Sequence, residues 1–374
     1  MAVVAMLACG VFMVVAVGAN RKDAGEGAQL RTSGTGGFAL YAESSVPVVQ
    51  DLNSDSGRSR WGIDPSVLGE TGFVGLRVRD GDDASCLNLN RAQEPRILGV
   101  SVEALARRGA FSFQESENRA YQGSPWELLK QELGDGTIPA IGDYPTVYWG
   151  LGKKIGDTLI YRNRAGEEIT LRIVAMIRSS ILQGSLVISE EAMARYFPEV
   201  EGYQAWLIDT PVDREAEVSA HLTRRMADAG LSIETSVERL ALFARMEDTY
   251  LSIFLILGGL GLVIGCIGLG LIVIRNLLER QGELAMLRAV GFSRGTLLRM
   301  VCYEHIYLLV AGLFAGLICA IISVTPAIRA AAGELPFGLL TAITLLIGAS
   351  GALWVIVATG LTLRGDILTP LRNE

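Results

Sequence analysis

The sequence predicts a membrane protein with four transmembrane α-helices, one before and three after a large extracytoplasmic α+β domain. Half of the 374 residues are hydrophobic and only 20% are charged. The apolar residues are concentrated in runs without a charged side chain, each about as long as the roughly 17–25 residues that cross a bilayer as a helix. The four runs are Met1–Ala19, Tyr250–Ile274, Ile306–Val324 and Leu335–Leu363. We therefore place transmembrane helices at 1–19, within 237–274, at 306–324 and at 337–362.

Residues 20–236 have the mixed composition of a soluble domain that is large enough for its own core. Cys86 is the only cysteine in this part of the chain, so an intramolecular disulfide cannot stabilise it. The net charge of −7 provides no basic surface for nucleic acid. The sequence therefore divides into a first span, an outer domain at 20–236 and a membrane domain at 237–374.

The arginines between the second and third spans determine the predicted orientation, because arginine near the end of a span tends to stay in the cytoplasm. They are Arg275, Arg280, Arg288, Arg294 and Arg299. Both chain termini are then cytoplasmic and the large domain is extracytoplasmic. Arg21 and Lys22 favour the opposite orientation, but they begin a long translocated segment and count for less.

The first apolar run has an alternative interpretation as a cleaved signal peptide. It begins at Met1, whereas a signal peptide has a basic segment before its apolar stretch. The missing basic segment also leaves open a truncated or split form of a longer protein.

Within the outer domain we expect a mixed order of strands and helices with a β-rich middle. A capping box at Ser124 predicts a helix to about Leu133, and Ser189 can cap a short helix over Glu190–Tyr196. A third, amphipathic helix is expected over Asp213–Ala229. The expected strands are 138–141, 158–161, 169–177, 186–188, 204–208 and 231–234, with a turn at 163–166.

A single long helix is expected to join the outer domain to the second span. Ser236 can cap it, and nothing interrupts it through Ile274, so it would extend roughly 57 Å at 1.5 Å per residue. Because a bilayer core is only about 30 Å thick, part of this helix would form a stalk outside the membrane.

Glycines in the spans indicate close helix packing. Gly261 and Gly265 in the second span, and Gly312 and Gly316 in the third, have the small-xxx-small spacing that brings helices together in lipid. The partner is either another helix of the same chain or a second subunit. No span carries a central charged residue, which argues against an ion path through the bilayer.

The segment from Arg275 to Glu304, which we call the elbow, has the sequence pattern of a short amphipathic helix, a tight turn and the start of the third span. A charged stripe comprises Arg275, Glu279 and Glu283, and an apolar stripe comprises Leu284, Leu287 and Val290. Gly291 suits the left-handed residue that ends a helix, and Ser293 suits the cap of the next one. The alternative is a helix lying on lipid, although two glutamates on an anionic leaflet favour a protein partner.

The sequence predicts no catalytic, cofactor or metal site, and therefore no enzyme. Gly291–Gly295 matches the G-x-S-x-G pattern of hydrolases, but that chemistry needs a preceding strand and a histidine within reach. The chain has two histidines, His221 and His305. Gly150–Lys154 lacks the spacing of a phosphate-binding loop, and the histidines and cysteines form no zinc pattern.

The elbow residues resemble the signature of the FtsX/MacB-type ABC transporter permeases, in which E-R-x-x-E-x-x-x-L-R-A-x-G-x-S precedes a glutamate at the head of the next span. The resemblance covers about residues 236–370, and residues 147–189 are similar to the β-rich, MacB-like periplasmic subdomain. The matching positions are Glu279, Arg280, Glu283, Leu287, Arg288, Ala289, Gly291, Ser293 and Glu304.

The resemblance implies a permease subunit in the bacterial cytoplasmic (inner) membrane, paired with a second permease half that is either a copy or a paralogue. The elbow would dock on a separate cytoplasmic ABC ATPase that binds the ATP, chiefly through Glu279, Glu283 and Arg288. Closure of the ATPase would move the outer domain to export or extract hydrophobic or lipidated cargo, with membrane lipids and a periplasmic or outer-membrane protein as further partners. The alternative is a non-transporting transmitter that activates a periplasmic enzyme such as a cell-wall hydrolase.

Overall fold

The computed structural model describes residues 12, 25, 27–82, 84, 94–116, 123–134, 136–330 and 337–364. The chain divides into two compact units, and Asp23–Glu247 forms the first, which we call the outer unit. The second, which we call the helical unit, is described mainly from Asp248 to Arg364. The division falls inside one continuous helix, Ser236–Glu279. The predicted domain boundaries at 19/20 and 236/237 stay a prediction.

A ten-stranded mixed sheet organises the outer unit. The strands are β1 (Leu40–Val48), β2 (Gly72–Arg79), β3 (Arg96–Val100), β4 (Phe113–Ser116), β5 (Ile138–Asp143), β6 (Thr158–Arg162), β7 (Glu168–Ile177), β8 (Ser185–Ser189), β9 (Tyr203–Asp209) and β10 (Ser232–Thr235). Their order is β10-β1-β9-β2-β3-β8-β5-β7-β4, and β6 pairs with β7. The β3–β8 and β5–β7 pairs are parallel, and the other pairs are antiparallel.

Both faces of the sheet are covered, as β9 shows. Successive side chains of a strand point to opposite faces. Ala205 and Leu207 join one buried cluster, while Trp206 and Ile208 join another that includes Val218 of a covering helix. Residues on both faces of β9 are therefore removed from water. This explains why residues 205–208 are all apolar instead of alternating with polar ones.

Short helices lie between the strands. The α-helices are α1 (Asp55–Arg60), α2 (Pro65–Leu68), α3 (Val102–Arg108), α4 (Glu190–Tyr196) and α5 (Glu215–Arg225). Three 3₁₀ turns, Pro125–Lys130, Val212–Arg214 and Ala227–Ala229, and a π-helical turn, Pro145–Gly150, complete the unit. Ser189 caps α4 as predicted, because its side chain accepts a hydrogen bond from the amide of Ala192.

The six strands predicted between residues 138 and 234 are all present, with bounds shifted by one or two residues. The predicted turn at 163–166 is also present, since the amide of Gly166 donates to the carbonyl of Asn163 at 2.9 Å. Strands β1 to β4 were not predicted, and neither was the π-helical turn.

Three helix predictions in the outer unit were wrong in detail. The helix expected from Ser124 to Leu133 is the shorter 3₁₀ turn, because the side chain of Ser124 makes no capping bond and Gln131 is already extended. The helix expected over Asp213–Ala229 keeps α geometry only in α5. The cap of the long helix is Thr235 rather than Ser236, since Thr235 Oγ1 accepts from the amide of Glu238 at 3.1 Å.

Four helices follow the sheet: α6 (Ser236–Glu279), α7 (Gln281–Ala289), α8 (Arg294–Ala330) and α9 (Phe337–Arg364). In the described part of the chain, two segments are long and apolar enough to cross a membrane, Thr249–Glu279 and Arg294–Ile322, with mean hydropathies of 2.5 and 2.4. A shorter apolar stretch lies at Gly348–Gly360. Apart from Phe12, the first predicted span lies outside the described residues. The layout of one plus three spans thus stays a prediction.

Candidate coupling elbow

The predicted elbow, residues 275–304, contains the end of α6, the short helix α7 and the start of α8. Arg280, at φ −101° and ψ 16°, interrupts the helical geometry between α6 and α7. Its backbone still bonds to both sides, because its amide donates to Asn276 O at 3.1 Å and its carbonyl accepts from Leu284 N at 3.0 Å. The interruption is therefore a bend between hydrogen-bonded helices and not a free loop.

Gly291 ends α7 in a Schellman motif. Its φ of +108° is a value that side-chain-bearing residues rarely adopt. The amide of Gly291 donates to Arg288 O and that of Phe292 to Leu287 O, both at 3.1 Å, which is the paired bonding of this motif. Ser293 then caps α8, since its Oγ accepts from the amide of Thr296 at 3.2 Å. Both local structures match the sequence interpretation.

A buried apolar cluster supports the elbow from within. Leu277 of α6, Leu284 of α7 and Leu297 and Val301 of α8 are each at most 5% exposed and belong to this cluster. Leu287, one of the predicted docking residues, is half-buried and packs against the same cluster. Its side chain therefore helps to hold α7 in place, and its predicted role in docking stays a prediction.

Arg280 joins two of the predicted site residues. Its Nε lies 3.1 Å from Glu283 Oε2 and its Nη1 lies 3.3 Å from Glu304 Oε2. Arg275 pairs separately with Glu279 at 2.7 Å. All of these side chains are well exposed, so each pair contributes only about 0–1 kcal/mol to stability. Their chief effect is to fix where the carboxylates lie around α7.

An exposed apolar tip was missed by the sequence interpretation. The side chains of Met286, Val290 and Phe292 are 67%, 76% and 47% exposed. Val290 was predicted to share an apolar stripe with Leu284, but Leu284 is buried and Val290 is exposed. At 100° per residue, six residues place Val290 about 120° from Leu284 around the helix. We call Met286, Val290 and Phe292 the apolar tip.

Arg288 is less exposed than the two glutamates. Its side chain is half-buried, and its Nη1 is buried without a hydrogen-bond partner among the described residues. Its role as a contact of the ATPase stays a prediction. Of the charged residues expected to contact a partner, Glu279 and Glu283 are the exposed ones.

The glycines predicted to pack helices fall into two groups. Gly265, Gly312 and Gly316 are buried. Gly261 is half-buried, and no described atom lies within 4 Å of the position that a Cβ would take there. Helix α8 packs along α9, where Leu309 lies 2.7 Å from the position of a Cβ at Gly351. Gly351 thus makes a close helix approach that was not predicted.

The serine of the G-x-S-x-G pattern lies between two helices, and its hydroxyl is used for capping. His305, on α8, is buried with Nδ1 2.9 Å from Val301 O. The strand–turn–helix geometry of a nucleophile elbow is therefore not formed around Ser293. Groups of acidic, histidine and cysteine side chains suited to a metal ion are not found among the described residues.

Two of the described helices are long and apolar enough to cross a membrane, and the capped elbow joins them. Residues 255–364 match the family model of the FtsX-like permease C-terminal domain. The match confirms the resemblance seen in the elbow sequence for these residues. Permeases of this family work with a cytoplasmic ATPase in ABC-type transporters. Comparison with curated proteins gave no match. The outer unit lies outside the matched residues, so its MacB-like character stays a prediction.

Proposed function

We propose that this chain is the permease subunit of an ABC transporter that exports or extracts hydrophobic or lipidated cargo. A separate ATPase docks on the elbow in the cytoplasm, and its ATP-driven closure moves the outer unit through α6. Both chain termini are cytoplasmic, the outer unit is extracytoplasmic, and a second permease half completes the transporter in the bacterial inner membrane. The observation that carries the proposal is the family match over the helices that contain the elbow.

The geometry of α7 suggests how the ATPase is recognised. Protein interfaces concentrate binding energy in a few apolar or aromatic side chains surrounded by a polar rim. The apolar tip supplies such a centre, with Met286 and Val290 one turn apart on the exposed side of α7. Glu279 and Glu283, held by Arg275 and Arg280, supply the rim. We thus assign the main contact to the tip and the orientation of docking to the charges.

The membrane helices fit cargo that does not cross between them. The sequence from Tyr250 to Ile274 and from Ile306 to Val324 contains no charged residue, whereas a polar path through a bilayer requires such groups. If the outer unit acts on the cargo, only the movement of the helices has to cross the membrane. The cargo itself does not.

The docking surface is tested by co-purification of the ATPase with the tagged chain from its native membrane. Replacing Met286 and Val290 by serine removes exposed apolar area without opening a core, so the chain keeps its fold. Loss of two central contacts costs about 1–2 kcal/mol each, and we expect at least a tenfold fall in captured ATPase. The charge reversal Glu279→Lys with Glu283→Lys should also prevent capture by misorienting the rim.

Tyr303→Ser is the matched control, because Tyr303 is 70% exposed on α8 and lies outside the tip. It should leave capture unchanged. Undiminished capture by the double serine variant would exclude the tip as the docking centre. If the unaltered chain captures no ATPase, the permease function itself is wrong.

A further inference from the structure

Arg239, in the first turn of α6, fastens this helix to the outer sheet. Its Nη1 lies 2.6 Å from Glu234 Oε1 on β10 and its Nη2 lies 3.7 Å from Glu43 Oε1 on β1. The guanidinium also lies over the Tyr41 ring, 3.7 Å from the centroid, and Nε donates to Ile181 O at 2.8 Å. With its side chain only 17% exposed, Arg239 ties α6 to two strands and to the segment between β7 and β8.

The residue after Arg239 lies beside Gly34, which is hydrogen-bonded to the same segment. Leu240 lies 3.0 Å from the position that a Cβ would take at Gly34, and Gly34 O accepts from the amide of Ile181 at 2.9 Å. Movement of the first turns of α6 therefore acts on Ile181 from its carbonyl side and, through Gly34, from its amide side.

Residues 179–184, which we call the relay segment, are largely buried. Ser180 and Ile181 are fully buried, and Leu182 and Gln183 are 2% and 6% exposed. Buried chain is packed too tightly to absorb a displacement at one end without passing it on. The far end of the segment binds Thr146, because the amide of Gly184 donates to Thr146 Oγ1 at 2.8 Å.

Thr146 lies in the π-helical turn Pro145–Gly150, which we call the aromatic turn. Its inner side is fixed, since Asp143 Oδ1 accepts from the amide of Thr146 at 2.9 Å. Its outer side carries Tyr148 and Trp149, 38% and 71% exposed. The Tyr148 ring stacks on Tyr144, with centroids 5.1 Å apart and planes at 9°. The turn thus presents an ordered aromatic surface, and irregular helical turns of this type occur frequently at functional sites.

We propose that the position of α6 sets the position of the aromatic turn through the relay segment, with Arg239 as the positioning residue at the start of this path. The path is Arg239 Nε to Ile181 O, along the segment to Gly184 N, and from there to Thr146 Oγ1. Each step is a hydrogen bond or buried backbone. The inference relies on the proposed function only for the source of the movement. In a working permease, a movement of α6 therefore displaces the aromatic turn on the surface of the outer unit.

The coupling is tested by hydrogen–deuterium exchange on the full chain in detergent micelles, without any ATPase. Arg239→Met keeps the length of the side chain but removes every donor. We expect exchange of the peptide covering 144–151 to rise at least tenfold, because the Leu151 amide bonds to Thr146 O within the turn. The paired strands β2 and β9 should keep their protection. A purely stabilising role would instead raise exchange in both places.

Arg214→Met is the matched control, since Arg214 also donates to a backbone carbonyl of another element, Ser66 O at 3.1 Å, but is not on the path. Equal exchange of 144–151 in the two variants would overturn the proposal. Should Arg239→Met fail to fold, Glu234→Gln removes a single contact of Arg239 and gives the same comparison.

Energetic coupling is reciprocal, which supplies a second test from the other end. Thr146→Val cuts the bond from Gly184 and should raise exchange in the peptide covering 236–243, in the first turns of α6. Unchanged exchange there would overturn the coupling. Because these measurements need no ATPase, their failure is distinguishable from a failure to capture one.

Discussion

The outer unit buries its large apolar side chains, whereas the membrane helices expose many of theirs on the protein surface. In the outer unit, Trp206 and Ile208 are at most 2% exposed and lie under a covering helix. On α6 and α8, Ile256, Leu271 and Phe314 are 63–68% exposed. Water drives apolar groups inward, whereas lipid tails are as apolar as the side chains and provide no such force. Burial away from water therefore stabilises the core of the outer unit, whereas apolar side chains on the outer surface of the membrane helices gain no such term in lipid.

Polar groups show the same contrast. The outer unit buries Asp143, Thr146 and Ser180 together at the ends of strands and in a connecting segment. On α9, buried Thr359 turns its hydroxyl back to Val355 O of its own helix at 2.7 Å, as a polar group in lipid must do when water is absent. A polar group in the outer unit can therefore couple separate elements, whereas this threonine satisfies only its own helix.

The largest expected effect comes from Trp126→Ala. Trp126 is 1% exposed and donates from Nε1 to Ala110 O at 2.8 Å, so its loss leaves a cavity and an unpaired carbonyl. We expect the free energy of unfolding of the outer unit to fall by about 3–5 kcal/mol. The measurement is denaturant unfolding of the chain in micelles, followed by tryptophan fluorescence.

Two controls determine whether the contrast between the units holds. Trp149→Ala removes an exposed tryptophan from the outer unit, and Phe314→Ala removes a side chain that is 64% exposed on α8. Each should change stability by no more than about 0.5 kcal/mol. A large loss from Phe314→Ala would show that exposed apolar side chains of the membrane helices also contribute to stability.

The next effect is a pH dependence that belongs to the outer unit. Burial raises the pKa of Asp143 to about 7, against hydrogen bonds from Thr146 and Ser180 that lower it. The folded state therefore holds a proton that the unfolded chain releases near pH 4. As the pH rises from about 4 to about 7, the free energy of unfolding of the outer unit should fall by on the order of 4 kcal/mol in total.

Asp143→Asn tests the assignment, because an amide cannot ionise. Thermal unfolding of the variant, measured at pH 5 and pH 8, should lose most of the difference seen with the unaltered chain. An equal pH dependence in the two proteins would show that another group titrates. The unfolding transition of the membrane helices should be unaffected by the substitution.

The smallest effect is expected in the elbow, where two glycines differ in backbone conformation. Gly291→Ala forces a side chain into a φ of +108° and should cost about 1–2 kcal/mol locally. Gly282, in α7, has open space where a Cβ would be and no positive φ, so Gly282→Ala should be neutral or slightly stabilising. Amide exchange of the peptide covering 284–293 measures both. Equal exchange in the two variants would contradict the assigned role of Gly291.

Local signals in the sequence predicted the elbow and six of the ten strands of the sheet. Gly291 and Ser293 were recognisable because capping depends on residues close in sequence. The first strands were missed because glycine or polar residues interrupt their apolar pattern. Gly72 and Gly75 do so in β2, and Gln114 and Glu115 do so in β4.

The order of the strands and the contacts of Arg239 could not be predicted, because they depend on residues far apart in sequence. Arg239 contacts Tyr41 and Ile181, which are distant along the chain and come together only when the sheet has formed. The apolar tip was missed for a different reason. Helical periodicity identifies which residues share a face, but α7 is too short for periodicity to show which face is covered.

The cap at Thr235 begins a stretch of α6 that resists twisting. From Thr235 the first glycine is Gly258, and no proline lies between them, so the first turns of α6 contain neither of the two residues that most often accompany a helix kink. A helical stretch without such a point is stiff to twisting as well as to bending. A rotation of the first turns of α6 about the helix axis therefore turns Arg239 with them, and the direction in which this guanidinium points reports the rotational state of those turns.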